Sequence, residues 1–397
     1  MPYTYLPKQI EIGEGSLGNL GEIARKKQVC HLFIVIDAFL LTGRFSYQTK
    51  IEEMAEKEGL KATFFSDYRG EPTTEHVKSA LNSLQMVQAD CVIAIGGGSA
   101  IDLGKAIALF ARNPQMNWEN ISSYDVLVKL PLIAVPTTAG TGSEATKVMV
   151  IKNNETGVKM NPGHKDLIPD VALLDPRLTT SLPKHFTAYT GMDALTHAME
   201  AFVSTKASVM TDHYASYAIS MIGKWLEVVY NKGNHVDGRK NMLLASCYAG
   251  IAFSNASTNL AHAAGRSLGA RFEVPHGLSV SLLLPFVMEF TMDACEDRYA
   301  EIALLLGANT ELSDKELAQN AVTIIEDYND KFKIWEDGAT YIDAENLKEQ
   351  AEVLALEALE GNGITTNRKI PNKENIEEIY VALSEKLLAY FDVGEFQ

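Results

Sequence analysis

The chain has no CxxC pair and only four cysteines, Cys30, Cys91, Cys247 and Cys295, in 397 residues. That spacing excludes zinc-finger and disulfide frameworks and fits free thiols in a reducing compartment. A basic surplus is also missing. Thirty-five lysines and arginines stand against 51 aspartates and glutamates, a net charge of −16. Nucleic acids and anionic membrane surfaces need basic patches, so neither is an expected partner. No apolar run is long enough to cross a bilayer: the longest, residues 278–288, is short and contains Pro285. Residues 1–8 show no basic stretch leading into an apolar one, so no signal peptide is expected and a cytoplasmic location is. Internal repeats and low-complexity tracts are absent too.

What is present is an ordinary globular composition, 46% hydrophobic and 22% charged. The length exceeds what one core usually supports, so two domains are expected. Residues 31–36, 62–65, 91–95 and 132–135 are short, nearly continuous apolar runs. Helical patterns at 50–59 and 74–88 alternate with them, with Thr74 as the expected cap. This order predicts a parallel sheet covered on both faces. Past Leu182-Pro183 the periodicity turns helical, over 193–203, 211–230, 240–252 and 375–390. Residues 336–367 read as surface loop plus one helix. The expected division is an α/β domain over 1–180 and an all-α domain over 181–397.

The run 91–95 leads into Gly96-Gly97-Gly98-Ser99-Ala100-Ile101-Asp102 and then a helix. A glycine turn between strand and helix presents backbone N–H groups at the positive end of a helix dipole, which suits a pyrophosphate. The GxGxxG fingerprint is not met, because Ile101 takes the third glycine's place. A plain tight turn would read the same way. Two neighbours favour a dinucleotide. Asp37 ends the 31–36 run, where a carboxylate can accept both ribose hydroxyls and repel a 2′-phosphate, favouring NAD over NADP. Residues 135–144, with Thr137 and Thr138, form a hydroxyl- and glycine-rich loop at the carboxyl edge of the expected sheet, where such sheets bind ligands.

In the second half stand Asp193, His197, His262 and His276. One carboxylate and three imidazoles make a natural set for a divalent transition metal that keeps a position open for substrate. Asp193 and His197 are i and i+4 on an expected helix and face the same way. His276 lies between Pro275 and Gly277, a rigid turn that can present one ring.

Taken together these strings resemble the iron-containing (group III) alcohol dehydrogenases along essentially the whole chain. The resemblance rests on Gly96-Gly97-Gly98-Ser99 with Asp102 and Lys105, on residues 136–144 and 191–200, on 249–253, and on His262 with Pro275-His276-Gly277. It implies the dehydroquinate synthase-like architecture, with an N-terminal α/β dinucleotide-binding domain, a C-terminal all-α metal domain and a cleft between them. It implies Fe²⁺, or Zn²⁺ in some members, on Asp193, His197, His262 and His276. It adds Thr146 and Lys159 to the cofactor contacts and Phe253 to the substrate candidates. The implied reaction is hydride transfer between NAD(H) and a small alcohol or aldehyde, in a homodimer or larger homo-oligomer. Glycerol-1-phosphate dehydrogenase-like and dehydroquinate synthase-like enzymes share the architecture, but their motifs differ from residues 136–144 and 191–200.

Two positions depart from the family pattern. Many members carry a second histidine four residues after the third ligand, where this chain has Arg266. An arginine there can clamp an anionic substrate tail, such as that of a semialdehyde or hydroxy acid, or it can pair with a carboxylate such as Glu273. Glu71 stands before Pro72 where the family often has asparagine, so it is not carried over as a cofactor residue.

Overall fold

The computed structural model describes residues 3–42 and 46–394, so Met1 and Pro2 of the amino-terminal stretch lie outside the described residues. Two compact units divide the chain, one spanning Tyr5–Ser181 and the other built on residues from Leu182 onward.

The first unit holds β1 (Gln9–Ile12), β2 (His31–Ile36), β3 (Lys61–Phe65), β4 (Cys91–Gly96), β5 (Leu132–Pro136), β6 (Ile151–Lys152), β7 (Lys159–Met160) and β8 (Val171–Leu174). Six of them form one parallel sheet in the order β1-β8-β5-β4-β2-β3, and β6 and β7 pair as a small antiparallel hairpin. The central strands β2, β4 and β5 are buried almost throughout, which explains their continuous apolar sequence. The outer strand β1 and the four-residue β8 escaped the sequence reading. Gln9-Ile-Glu-Ile is an edge strand with no fully buried residue, and Val171–Leu174 is too short to signal a period.

Helices α1 (Leu20–Lys26), α2 (Ala38–Leu41), α3 (Tyr47–Lys57), α4 (Thr74–Val87) and α5 (Gly98–Phe110) accompany this sheet. Thr73, not Thr74, caps α4. Its hydroxyl accepts from the His76 N–H and His76 Nδ1 accepts from the Thr73 N–H, both at 3.2 Å, a reciprocal cap. The order in which strands are added reverses between β2 and β4, since β3 lies beyond β2 and β5 beyond β4. The carboxyl ends of these two strands therefore form the switch point at which open α/β sheets bind ligands.

The second unit is all helical among the described residues: α6 (Lys184–Val203), α7 (Val209–Asn231), α8 (Val236–Ala256), α9 (Leu260–Phe272), α10 (His276–Thr291), α11 (Glu296–Leu305), α12 (Asp314–Lys331), α13 (Ile334–Tyr341), α14 (Ala344–Leu359) and α15 (Lys373–Gly394), with short 3₁₀ turns. Helix α6 is its axis. Apart from Thr190, every residue from Thr187 to Val203 is buried, and α7, α8 and α10 pack around it. Residues 336–367 correct the sequence expectation of loop plus one helix. They contain most of α13, all of α14 and a 3₁₀ turn at Ile364–Thr366. Trp335, fully buried on α13, anchors the stretch in the core, whereas the surrounding charge had suggested surface. The segment His276–Ala294 corrects the expectation that no apolar run is long enough to cross a bilayer. It passes by length and composition once its helix is counted beyond residues 278–288, but 61% of its apolar window is buried. It is a core helix packed on α6, α9, α12 and α15.

Candidate metal centre

Asp193 and His197 lie one turn apart on α6, His262 in the first turn of α9, and His276 at the start of α10. Ligand atoms of Asp193, His262 and His276 lie within 4.8 Å of one another. Asp193 Oδ1 is 3.4 Å from His262 Nε2 and 3.6 Å from His276 Nε2. His197 stands beside this trio, its Nδ1 3.8 Å from Asp193 Oδ2. Its ring stacks on His262 and on Phe253, with centroids 4.1 Å apart in each case. The structure thus brings the four predicted residues to one place, with Phe253 against them.

The donor atoms meet a simple test of fit. Asp193 Oδ1, His197 Nδ1 and His262 Nε2 are buried and have no hydrogen-bond partner among the described residues. Buried polar atoms are almost always paired, because an unpaired one costs about 1–3 kcal/mol. Orphaned polar atoms on neighbouring side chains are what a cation would satisfy, and a set of one carboxylate and imidazoles suits iron or zinc. The electrostatics agree. Burial works against the Asp193 charge, yet His197, His276 and His262 hold the carboxyl below its usual range. Burial also disfavours protonated His262, but Glu200 and Asp193 outweigh it and push its pKa up to about 9. A divalent cation between these groups would displace that proton. His197 shifts the other way, well below the ordinary histidine value, through burial and the neighbouring His262, His276 and Arg266.

The predicted cofactor residues gather at the switch point of the sheet. Gly97 caps α5 with no side-chain bond at the helix start, so the N–H groups of that first turn remain available to an anion. A Cβ on Gly96 would lie 2.6 Å from Asp37 Oδ2, and one on Gly98 2.9 Å from Thr141 Cγ2, so the close approach requires glycine at both positions. Asp37 follows β2 directly. Its Oδ1 accepts from Tyr68 Oη at 2.9 Å, and burial raises its pKa. Ser99 is partly buried in the same first turn, Thr137 is buried behind it with its N–H bonded to the Gly96 carbonyl, and Thr138 is partly exposed.

Asp102 and Thr146, also predicted as cofactor contacts, face protein groups. The Asp102 carboxylate accepts from Ser143 Oγ and from the Val150 N–H at 2.9 Å. Fully buried Lys105 donates to Ser143 Oγ at 2.9 Å, Thr146 Oγ1 at 2.8 Å and the Val148 carbonyl at 2.6 Å. These bonds lace the hydroxyl-rich loop to α5. Lys159 is held by Glu71, Nζ to Oε1 at 2.6 Å, so the residue that departs from the family pattern grips the predicted cofactor lysine.

Comparison with known proteins decides the family. A model of the iron-containing alcohol dehydrogenases matches residues 7–176, and one of the C-terminal region of the Fe-containing alcohol dehydrogenase family matches 187–384. The chain is 42% identical to "Probable alcohol dehydrogenase EutG" of Escherichia coli (strain K12) over 78% of each chain. Among solved structures, an alcohol dehydrogenase from Oenococcus oeni superimposes with a TM-score of 0.91 at 30% identity, over 96% of this chain and all of that one. A sulfoacetaldehyde reductase from Bifidobacterium kashiwanohense in complex with NAD⁺ gives 0.85 at 26% identity, over 97% and 99%. The chain is an iron-containing alcohol dehydrogenase. Its activity is hydride transfer between a nicotinamide cofactor and a small alcohol or aldehyde.

In this dehydrogenase one buried residue had no role in the sequence reading. Glu200, on the last turns of α6, accepts His262 Nδ1 on Oε2 at 2.6 Å. The same carboxylate accepts the N–H groups of Asn259 at 2.8 Å and Ala261 at 2.7 Å. Helix α9 has no side-chain cap of its own, so Glu200 caps it from about 60 residues away and fixes the His262 ring, leaving Nε2 toward Asp193. The available signal was its place on the buried face of α6, seven residues after Asp193.

Gly277 sets the spacing of α10 against α6. A Cβ there would lie 2.3 Å from the Tyr189 carbonyl oxygen and 3.3 Å from Asp193 Cβ. Both obstacles are on the central helix and cannot swing away. Gly277→Ala should therefore displace His276, lower stability by about 1–3 kcal/mol and weaken metal binding. Thermal melting with and without added Fe²⁺ checks this, and unchanged melting in both would contradict it.

Proposed function

We propose that Asp193, His197, His262 and His276 together hold Fe²⁺, with Zn²⁺ as a working substitute, in the metal and substrate domain of residues 181–397. The supporting observation is the trio of orphaned buried atoms, Asp193 Oδ1, His197 Nδ1 and His262 Nε2, beside His276. In the domain of residues 1–180, Asp37, Gly96, Gly97, Gly98, Ser99, Thr137 and Thr138 bind NAD, with the glycine turn and the open start of α5 taking the pyrophosphate. Asp37 favours NAD over NADP by charge repulsion of a 2′-phosphate. Asp102 and Thr146 brace that loop through Lys105. An ammonium has three donors, so Lys159 can keep Glu71 and still reach a ribose oxygen.

Bound at these positions, the metal supplies Lewis acidity toward the alcohol or carbonyl oxygen, and the nicotinamide gives or takes the hydride. The residues orient. Glu200 holds His262, and Phe253 stacked on His197 fixes that ring and presents an apolar face to a small carbon chain. Because Asp193 offsets only one of two positive charges, the centre stays electrophilic. The free thiols fit a cytoplasmic setting, and the family resemblance points to a homodimer or larger assembly.

The test uses the full chain. Chelator treatment should lower NADH oxidation with short aldehydes by at least about a hundredfold, and Fe²⁺ or Zn²⁺ should restore it. NADH should be used in preference to NADPH. Full turnover by metal-free protein would refute the reading.

A further inference from the structure

Three described arginines are not solvent-exposed: Arg239, Arg266 and Arg298. Two are saturated. Arg298 forks onto Asp212 and the Phe202 carbonyl, and Arg239 reaches Thr187 and the carbonyls of Gly233 and Leu182. Arg266 makes no hydrogen bond or ion pair among the described residues. Its position is one turn beyond His262 on α9, on the same face. Its charge is felt at His197, and the nearest carboxylate influence on it comes from Glu200. Glu200 is not free to receive it, since its oxygens are committed to His262 Nδ1 and to the start of α9. Glu273, the carboxylate that the sequence offered as a partner, caps the far end of α9 in a left-handed conformation and forms no ion pair with it.

A partly buried guanidinium without a partner is a stability cost that an unliganded core does not need. Its planar fork matches a carboxylate or sulfonate, and it cannot serve as an acid or base near neutral pH. We propose that Arg266 binds an anionic group at the far end of the substrate, so that this dehydrogenase acts on small aldehydes and alcohols carrying a carboxylate or sulfonate. This rests on the metal-centre reading above and names the substrate class for it. Four residues of helix rise, about 6 Å, separate the positions of His262 and Arg266, so short substrates of roughly two to four carbons are the ones to test.

The experiment compares iron-loaded wild type and Arg266→Ala on two pairs, 4-oxobutanoate against butanal and 2-oxoethanesulfonate against propanal. Wild type should prefer the acids in kcat/KM by roughly tenfold or more. Arg266→Ala should lose roughly 10- to 100-fold on the acids, mainly through KM, and less than about threefold on the neutral aldehydes. Its melting temperature should match or exceed that of wild type, because the variant removes an unpaired charge. Calorimetric binding of ethanesulfonate should be present in wild type and absent in the variant. An equal loss on both classes, or no preference in wild type, would overturn the clamp while leaving the dehydrogenase reading intact. Absence of turnover on all four aldehydes by metal-loaded protein would sink that broader reading, and ethanesulfonate binding would then still decide the clamp.

Discussion

Asp193→Asn should fold normally and fail to retain iron. The substitution keeps the shape of the side chain and removes the only negative charge among the four proposed ligands. In its place three imidazoles would surround a neutral amide, with Arg266 nearby adding positive charge. Losing even an outer partner of a metal ligand costs roughly 10- to 100-fold in affinity or activity, so loss of this carboxylate should exceed the upper figure. The check is metal content after dialysis together with melting. Wild type should be stabilised by added Fe²⁺, by about 2.7 kcal/mol at a hundredfold excess over Kd, and the variant should not respond. A variant that held one equivalent of iron and kept its activity would remove Asp193 from the centre.

Glu200→Ala should damage two things at once. It strands the buried N–H groups of Asn259 and Ala261 and the His262 Nδ1 donor. At about 1–3 kcal/mol for each unsatisfied donor, the loss of stability should reach at least about 3 kcal/mol. Iron affinity should fall roughly 10- to 100-fold as the His262 ring loses its tether. Glu200→Gln separates the two effects. Its amide oxygen still accepts from the start of α9, so most stability should return, whereas the uncharged group should leave metal affinity low. If Glu200→Gln bound iron as tightly as wild type, the carboxylate would be a helix cap and nothing more.

The elements most legible in the sequence were those whose environment is uniform. Strands β2, β4 and β5 are buried on both faces, so their apolar runs needed no interpretation. The clustering of the four candidate residues was legible because Asp193 and His197 share a helix face and His276 follows a proline. Edge elements were harder. In β1 apolar and polar residues alternate over only four positions, and α13 hides Trp335 inside a charged stretch. Long-range partners were out of reach. Nothing local to α9 announces that a carboxylate from α6 will cap it, and nothing local to Lys159 names Glu71 as its neighbour. Whether Arg266 had a partner was equally undecidable in one dimension, because the sequence offered Glu273 as a partner alongside an anionic substrate.

The side chain of His276 is 45% exposed, while those of Asp193, His197 and His262 are 7% or less. That asymmetry leaves one of the four proposed positions open to solvent. An ion held by these four residues would be reached from solvent past His276, the one outward-facing ring. A chelator would then meet that single imidazole first. How long such a centre stayed loaded would then depend on how firmly α10 keeps that ring in place.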